Sequence, residues 1–315
     1  MADSVKCTRA GCGYYTFEVE GFSAFIRDVA PLFVSPRIQL GPDMRVEGQE
    51  FVWRGMRDPS WFLQSSLSRA ASKEIVSKGE QWQKDVSELT TRHLMEFINH
   101  LRGLSLLDRK HDDLYALLGR HIGKFYTSFD NVLESMDQDL RSLTLELFAL
   151  GQHHGLYTPF LDWTYIPLIA LYFAFVEQDD RVDGVGHRVV FALNKTAVER
   201  MCPPNEVTAR EGIRFVGSMA HDNPRIVGQA GLFTFVPPHL PVDQWVVARC
   251  DRPPEERWPV LLRFLIRNSG RKKCLDELNT LNINSRTVFP DRFGSALHAN
   301  FRLESFKETL LGVPR

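Results

Sequence analysis

Two adjacent imidazoles, a carboxylate, an indole and a hydroxyl fall within a dozen residues of one stretch, GQHHGLYTPFLDWT, which runs from Gly151 to Thr164. An apolar run from Tyr165 to Phe175 follows it directly. That run belongs in a core, since leaving it in water forfeits the free energy of apolar burial. Polar groups set against an anchored core segment have the character of a site rather than of a spacer. Two further polar groups stand far from this one in the chain. One is Trp53-Arg54-Gly55, and the other is Arg225 with Gln229.

Each group admits a chemical and a structural reading. Arg54, at the end of an expected strand, presents a rigid fork of donors suited to a phosphate or a carboxylate, or else a structural ion pair. Trp53 beside it offers a face for a planar ring. His153 and His154 are adjacent, so on a strand they point to opposite faces and cannot both reach one small ligand. One of them packs and the other faces the site; His154 is the one taken as catalytic. Asp162 offers a carboxylate just ahead of the helix that follows, or it caps that helix, a role Thr164 also suits. Trp163 is a second stacking ring. Gln229 donates and accepts, which fits an amide or a ribose hydroxyl, or a hydrogen bond to loop backbone. A metal-dependent hydrolase on His153, His154 and Asp162 is weakened by the adjacency of the two histidines. The chain has no Walker-type glycine loop, no Gly-x-Gly-x-x-Gly after a strand, no His-Glu-x-x-His, no Gly-x-Ser-x-Gly and no Cys-x-x-Cys.

The elements that position these groups follow from hydrophobic periodicity. Tyr14 to Val19 reads as an edge strand, and Phe22 to Phe33 as an amphipathic helix with Phe22, Phe25, Ile26 and Val29 on one face. Phe51-Val52-Trp53 favours a strand that ends at Gly55. From Ala70 to Phe148 the pattern is mainly helical. Ile166 to Phe175 is a buried helix starting near Pro167, where proline suits the first turn. Strands are expected over 188–193, 232–236 and 260–266, with a turn at Asp183–Gly186, a loop at Pro203-Pro204 and a strand end at Pro237-Pro238. Lys273 to Leu281 and residues 294–311 read as helices. Thr287 to Asp291 reads as a strand leaving into a loop. Uneven strand spacing with clustered helices predicts an α+β fold. It has a mixed, mainly antiparallel sheet core and a large helical insertion over about residues 70–150.

The totals bound what the chain does. With 315 residues it has ample material for a core, and its net charge of −1 gives no global pull toward nucleic acid or an anionic membrane. No apolar run is long enough to span a bilayer, and the first residues lack the apolar core of a secretion signal. Five scattered cysteines point to reduced thiols and a cytoplasmic setting. Cys7 and Cys12 lack two further ligands for zinc and read as thiols.

These residues resemble the FRG domain family. The resemblance rests on Phe51-Val52-Trp53-Arg54-Gly55, on Ser66-Leu67-x-Arg69, on GQHHGLYTPFLDWT with the helix after it, and on Asn223-Pro224-Arg225-Ile226-Val227-x-Gln229-x-Gly231-x-Phe233-Thr234. Thr287-Val288-Phe289-Pro290-Asp291 matches a C-terminal landmark of the family. A tryptophan precedes the arginine where the family name has phenylalanine, and Phe160 stands where the family commonly has an arginine. The resemblance implies a single FRG-like domain over residues 1–315, with its core at about 20–300, and a setting in bacterial and phage conflict.

A weaker resemblance supplies a chemistry. Toxin-type ADP-ribosyltransferases order a strand arginine, then Ser-Thr-Ser ahead of an Ala-x-x-Phe helix, then Gln/Glu-x-Glu on a late strand. This chain has Arg54, then Asp162-Trp163-Thr164 ahead of Ala170-Leu171-Tyr172-Phe173, then Gln229-Ala230-Gly231. Gly231 stands where the catalytic glutamate falls. The resemblance implies NAD as substrate, with nucleic acid or protein as acceptor, in a toxin or anti-phage effector. Arg54 would hold the diphosphate, Trp53 or Trp163 would stack on a ring, and Thr164 and Arg225 would also bind the cofactor. His154, Asp162 and Gln229 would act on the ribose or the acceptor. The alternative is a nucleotide or nucleic-acid binding module without catalysis.

Overall fold

A computed structural model describes residues 4–11, 13–33, 49–75, 80–104, 106, 108–122, 129–178, 186–202, 212–217, 224–236, 241–249 and 259–311. Its strands are β1 (Val5–Gly11), β2 (Tyr14–Val19), β3 (Phe51–Met56), β4 (Phe160–Thr164), β5 (His187–Asn194), β6 (Arg214–Val216), β7 (Gly231–Phe235) and β8 (Leu261–Arg267). The helices before the central stretch are α1 (Phe22–Ala24), α2 (Ser66–Ile75), α3 (Glu80–Gly103), α4 (Arg109–His121), α5 (Phe129–Glu134) and α6 (Gln138–His153). After it come α7 (Pro167–Val176), α8 (Lys195–Met201), α9 (Pro224–Gly228), α10 (Val242–Arg249), α11 (Arg271–Thr280), α12 (Ser285–Val288) and α13 (Arg292–Leu311). The turn residues Asp183 to Val185, the proline pairs Pro203-Pro204 and Pro237-Pro238, and Cys12 lie outside the described residues.

The strands form one sheet in the order β1-β2-β8-β5-β3-β4-β7-β6. Only β2 and β8 run parallel among the described pairs; the other pairings are antiparallel. The fold is α+β with a mixed, mainly antiparallel sheet. Strand alternation sorts the apolar residues into two cores. Phe51, Trp53, Val190, Ala192, Leu262 and Phe264 face one side, where α1, α7 and α11 cover them. Val52, Met56, Val189, Phe191, Leu193 and Leu261 face the other, under α8 and α10. Burial on both faces explains why β3, β5 and β8 are near-continuous apolar runs.

The helical stretch forms a third core with the far end of the sheet. Leu94, Leu118, Phe129 and Phe148 pack against Phe160 of β4, Val216 of β6 and Phe233 and Phe235 of β7. Phe160 stacks on Phe233 with ring centroids 5.3 Å apart and meets Phe148 edge-on at 5.7 Å. The helices are thus seated on β4, β6 and β7 rather than packed only against each other.

Three expectations are corrected. Tyr14–Val19 is an interior strand, because β1 pairs outside it and β8 inside. The segment from Phe22 to Phe33 is helical but irregular: α1 widens into a π-turn over Phe25–Val29 and tightens to 3-10 over Ala30–Phe33. Thr287 to Asp291 is no strand. Asn284 accepts from the N–H groups of Arg286 and Thr287, Thr287 returns a bond to the Asn284 N–H, and this capping box starts the one-turn helix α12.

Candidate functional site

The sheet is not uniformly paired. β3 runs in register with β5 from Phe51↔Asn194 to Met56↔Val189, and β4 with β7 from Phe160↔Phe235 to Thr164↔Gly231. Between β3 and β4 the described ladder is reduced to the pair Trp53↔Thr164. A cleft of about 300 Å³ opens there. Its lining comes from β3, β4 and β7, from α6, α7 and α9, and from Gln229 and Phe289, which follow α9 and α12. It gathers Arg54, Gln152, His153, Asp162, Arg225 and Gln229 with the aromatic side chains of Phe173 and Phe289. Residues more than a hundred positions apart in sequence therefore meet in one cavity.

Arg54 bridges the opening. Its Nη1 donates to the backbone carbonyl of Asp162 at 2.7 Å and lies 3.5 Å from that residue's Oδ2. The guanidinium thus takes a backbone acceptor that a strand neighbour's N–H would otherwise use. Its Nε is buried with no hydrogen-bond partner. Burial and the charge of Arg69 lower its pKa, while Asp162 pushes the other way; the group stays a cation. A donor left unsatisfied in that place costs free energy and calls for an acceptor.

Gly55, next to it, has a packing reason to be glycine. A Cβ there would lie 1.7 Å from the Ala170 carbonyl oxygen and 2.7 Å from the Ala174 nitrogen. The Arg-Gly pair thus couples a charged side chain to the close seat of α7 on β3.

Asp162 is not the helix cap. It lies in β4, its side chain 54% exposed, while the helix begins after Ile166, which makes no side-chain cap bond. Its Oδ1 accepts from Gln152 Nε2. Among the described residues, it is the sole carboxylate lining the cleft. Thr164 donates from Oγ1 to the Gln229 carbonyl at 2.6 Å and accepts from the Ile166 N–H at 3.1 Å. Its hydroxyl therefore ties β4 to the turn after α9. Gln229 donates from Nε2 to the Val288 carbonyl at 3.3 Å, which ties that turn to α12.

The histidine pair is no strand. His153 ends α6 and His154 is the C-cap residue. Gly155, at φ 91°, follows in the left-handed region. The Leu156 N–H donates to the Gly151 carbonyl at 2.8 Å and the Gly155 N–H to the Gln152 carbonyl at 3.1 Å. These two bonds make a Schellman C-cap, with Leu156 folded against Gly151. The motif Gly-Gln-His-His-Gly-Leu is thus a helix stop, and the pair is set by helical rotation. His153 lines the cleft, while His154 is exposed and outside the lining, the reverse of the sequence expectation. Burial, then the charges of Arg225 and His154, lower the His153 pKa against the opposing pull of Asp291. Among the described residues, no group of three or more His, Cys, Asp or Glu stands close enough to hold a metal ion.

Arg225 is held from three sides. Its Nε donates to Asp291 Oδ2 at 2.5 Å, and its guanidinium lies 5.4 Å from the Phe289 ring centre and 5.3 Å from that of Phe293. The two tryptophans are core residues. Trp53 is 1% exposed and lies on Phe264 with centroids 6.1 Å apart; Trp163 is 3% exposed and donates from Nε1 to Thr234 Oγ1 at 2.9 Å. Both also border the cleft, where the structure leaves little of either ring exposed. The partly exposed rings at the cleft are Phe173 and Phe289, which meet edge-on at 5.9 Å. Gln152 has no role in the sequence reading, where His153 figures only as the partner of His154 and Phe173 and Phe289 only as motif residues. The signal was present for Phe289, which stands in the segment 287–291 already matched to a landmark.

The family model of the FRG domain matches residues 49–183, which carry Arg54, Gln152, His153, Asp162 and Phe173. Comparison with curated proteins and with solved structures gave no match.

Proposed function

Taking as premise that residues 49–183 of this chain are an FRG domain, we propose that the cleft between β3 and β4 binds NAD and transfers its ADP-ribose to an acceptor. The observation that carries this reading is the position of Asp162. The motif order resembling ADP-ribosyltransferases ends on β7 at Gly231, which has no carboxylate. Asp162 stands on the strand paired with β7, opposite Phe233, and its carboxylate lines the same cleft as Arg54 and Gln229. A carboxylate moved by one strand supplies the charge the missing glutamate would have supplied.

The chemistry then divides among the lining groups. Arg54, with its unsatisfied Nε, attracts the diphosphate, and Arg225, in the same lining, adds positive charge. Phe173 and Phe289 give the nicotinamide ring an apolar wall. The bond between the ribose C1′ and the ring nitrogen breaks, and its electron pair neutralises the pyridinium as nicotinamide leaves. Asp162 stabilises the positive charge left on the ribose, the kind of preorganised electrostatics that most lowers a barrier. A nucleophilic oxygen or nitrogen of the acceptor closes on C1′. His153, whose lowered pKa keeps it neutral near pH 7, takes the acceptor's proton.

The test is nicotinamide release and label transfer from NAD labelled in the adenylate, offered with nucleic acid and with protein acceptors. Wild type transfers label, and Asp162→Asn lowers the rate about a hundredfold or more while NAD still binds. Folded wild-type protein that releases no nicotinamide and transfers no label ends the proposal.

A further inference from the structure

Gln152 stands between two polar side chains, and the order of donors along that row is determined. Thr158, fully buried, is fixed first. Its N–H donates to Ser66 Oγ at 3.0 Å, and its carbonyl accepts from the Ser66 hydroxyl at 3.3 Å and from the Leu67 N–H at 3.1 Å. The Thr158 Oγ1 accepts from the Phe160 N–H at 3.3 Å. Its one hydrogen therefore points elsewhere, to Gln152 Oε1. That orientation turns Nε2 of the amide toward Asp162 Oδ1. An amide flipped the other way would leave the Thr158 hydrogen without its acceptor and would set the amide oxygen against the carboxylate, acceptor facing acceptor.

We propose that Gln152 is a positioning residue for Asp162, its amide held in one orientation by Thr158 and, through Thr158, by Ser66 at the start of α2. The row runs Ser66, Thr158, Gln152, Asp162, Arg54, and it joins the first helix of the helical stretch to the cleft. One oxygen of the carboxylate is taken by Gln152; the other lies 3.5 Å from Arg54 Nη1. Each carboxylate oxygen thereby faces a different donor. This accounts for Ser66, a motif residue outside the cleft lining: it fixes the backbone on both sides of the Thr158 side chain. The catalytic meaning of the row rests on the NAD reading; the order of its hydrogen bonds does not.

Two measurements on the full chain test it. The first is nicotinamide release by wild type, Thr158→Val and Thr158→Ser. Loss of the hydroxyl lowers kcat about tenfold with KM within about twofold, because a misoriented carboxylate acts on the transition state rather than on binding. Serine, which keeps the hydroxyl, restores kcat. An unchanged kcat in Thr158→Val, or no recovery in Thr158→Ser, overturns the inference. The second needs no activity. The carboxyl carbon of Asp162 is followed through a pH titration by NMR, with Asp162→Asn for assignment. In Gln152→Glu, which keeps the side-chain shape, a second carboxylate faces Asp162 and its titration moves to higher pH than in wild type. Superimposable titrations overturn the inference. Wild type that releases no nicotinamide sinks the NAD reading, and the titration then decides the Gln152 assignment by itself. The same titration decides it if Thr158→Val does not fold.

Discussion

Arg54 meets the carbonyl and the carboxylate of the same residue across the opening in the sheet, and around that meeting each cleft side chain is held by a different device. Gln152 grips Asp162, Asp291 and two phenylalanines grip Arg225, and helical rotation alone brings His153 in while leaving His154 out. His153 carries a prediction at this scale. Its pKa lies below the ordinary 6.5, first because of burial and then because of Arg225. The unfolded chain therefore takes up this proton before the folded chain does. Stability conferred by the neutral imidazole is full above 6.5 and is lost as pH falls through the folded value. Urea unfolding between pH of about 7.5 and about 5.5 should show that loss, and His153→Gln should have a shallower pH dependence over the same window. An identical dependence in the two proteins would refute the assignment.

At the scale of elements, the close seating of α7 on β3 is what Gly55 permits. A Cβ at this position would stand 1.7 Å from the Ala170 carbonyl oxygen, so a methyl group has nowhere to go unless the helix moves off the strand. Gly55→Ala should destabilise the protein by about 3 kcal/mol or prevent folding, the upper end for overpacking. Chemical denaturation measures it; a loss below about 1 kcal/mol would mean the helix shifts easily. The same glycine at the end of a strand reads from sequence as a mere stop. Its packing role depends on α7, which enters the chain more than a hundred residues later. The Schellman cap is the opposite case. Gly155 after a helical run and Leu156 after the glycine are present in the stretch itself, and these local residues are enough to spell a helix stop.

At the scale of the molecule, the helices α3 to α6 share an apolar core with β4, β6 and β7. Phe160 is the hinge point of that core, packed on Phe233 and Phe148 at once. It also stands two residues before Asp162 on the same strand. Phe160→Ala should cost about 4 kcal/mol, as expected for a buried phenylalanine. Far-ultraviolet and near-ultraviolet circular dichroism should lose their signals together, because helices and sheet lose the same core. Separate transitions would show that the helical stretch stands without the sheet.

The amino-acid sequence by itself determined the local elements around the cleft: the strand through Trp53 and Arg54, the buried helix beginning at Pro167, and the strand after Gln229. These follow from periodicity and turn residues, which act within a few positions. It also marked Arg54, Asp162, Arg225 and Gln229 as groups worth a role. The tertiary structure alone decided three things: that β3 and β4 are held by the pair Trp53↔Thr164 and open beyond it, that both tryptophans belong to the core, and that His153 rather than His154 reaches the cleft. Each depends on pairing between segments far apart in the chain and on which face a neighbouring helix covers. Local patterns of hydrophobicity carry the period of a strand or a helix; they do not carry the register or the partner that turns one side chain inward and the next outward.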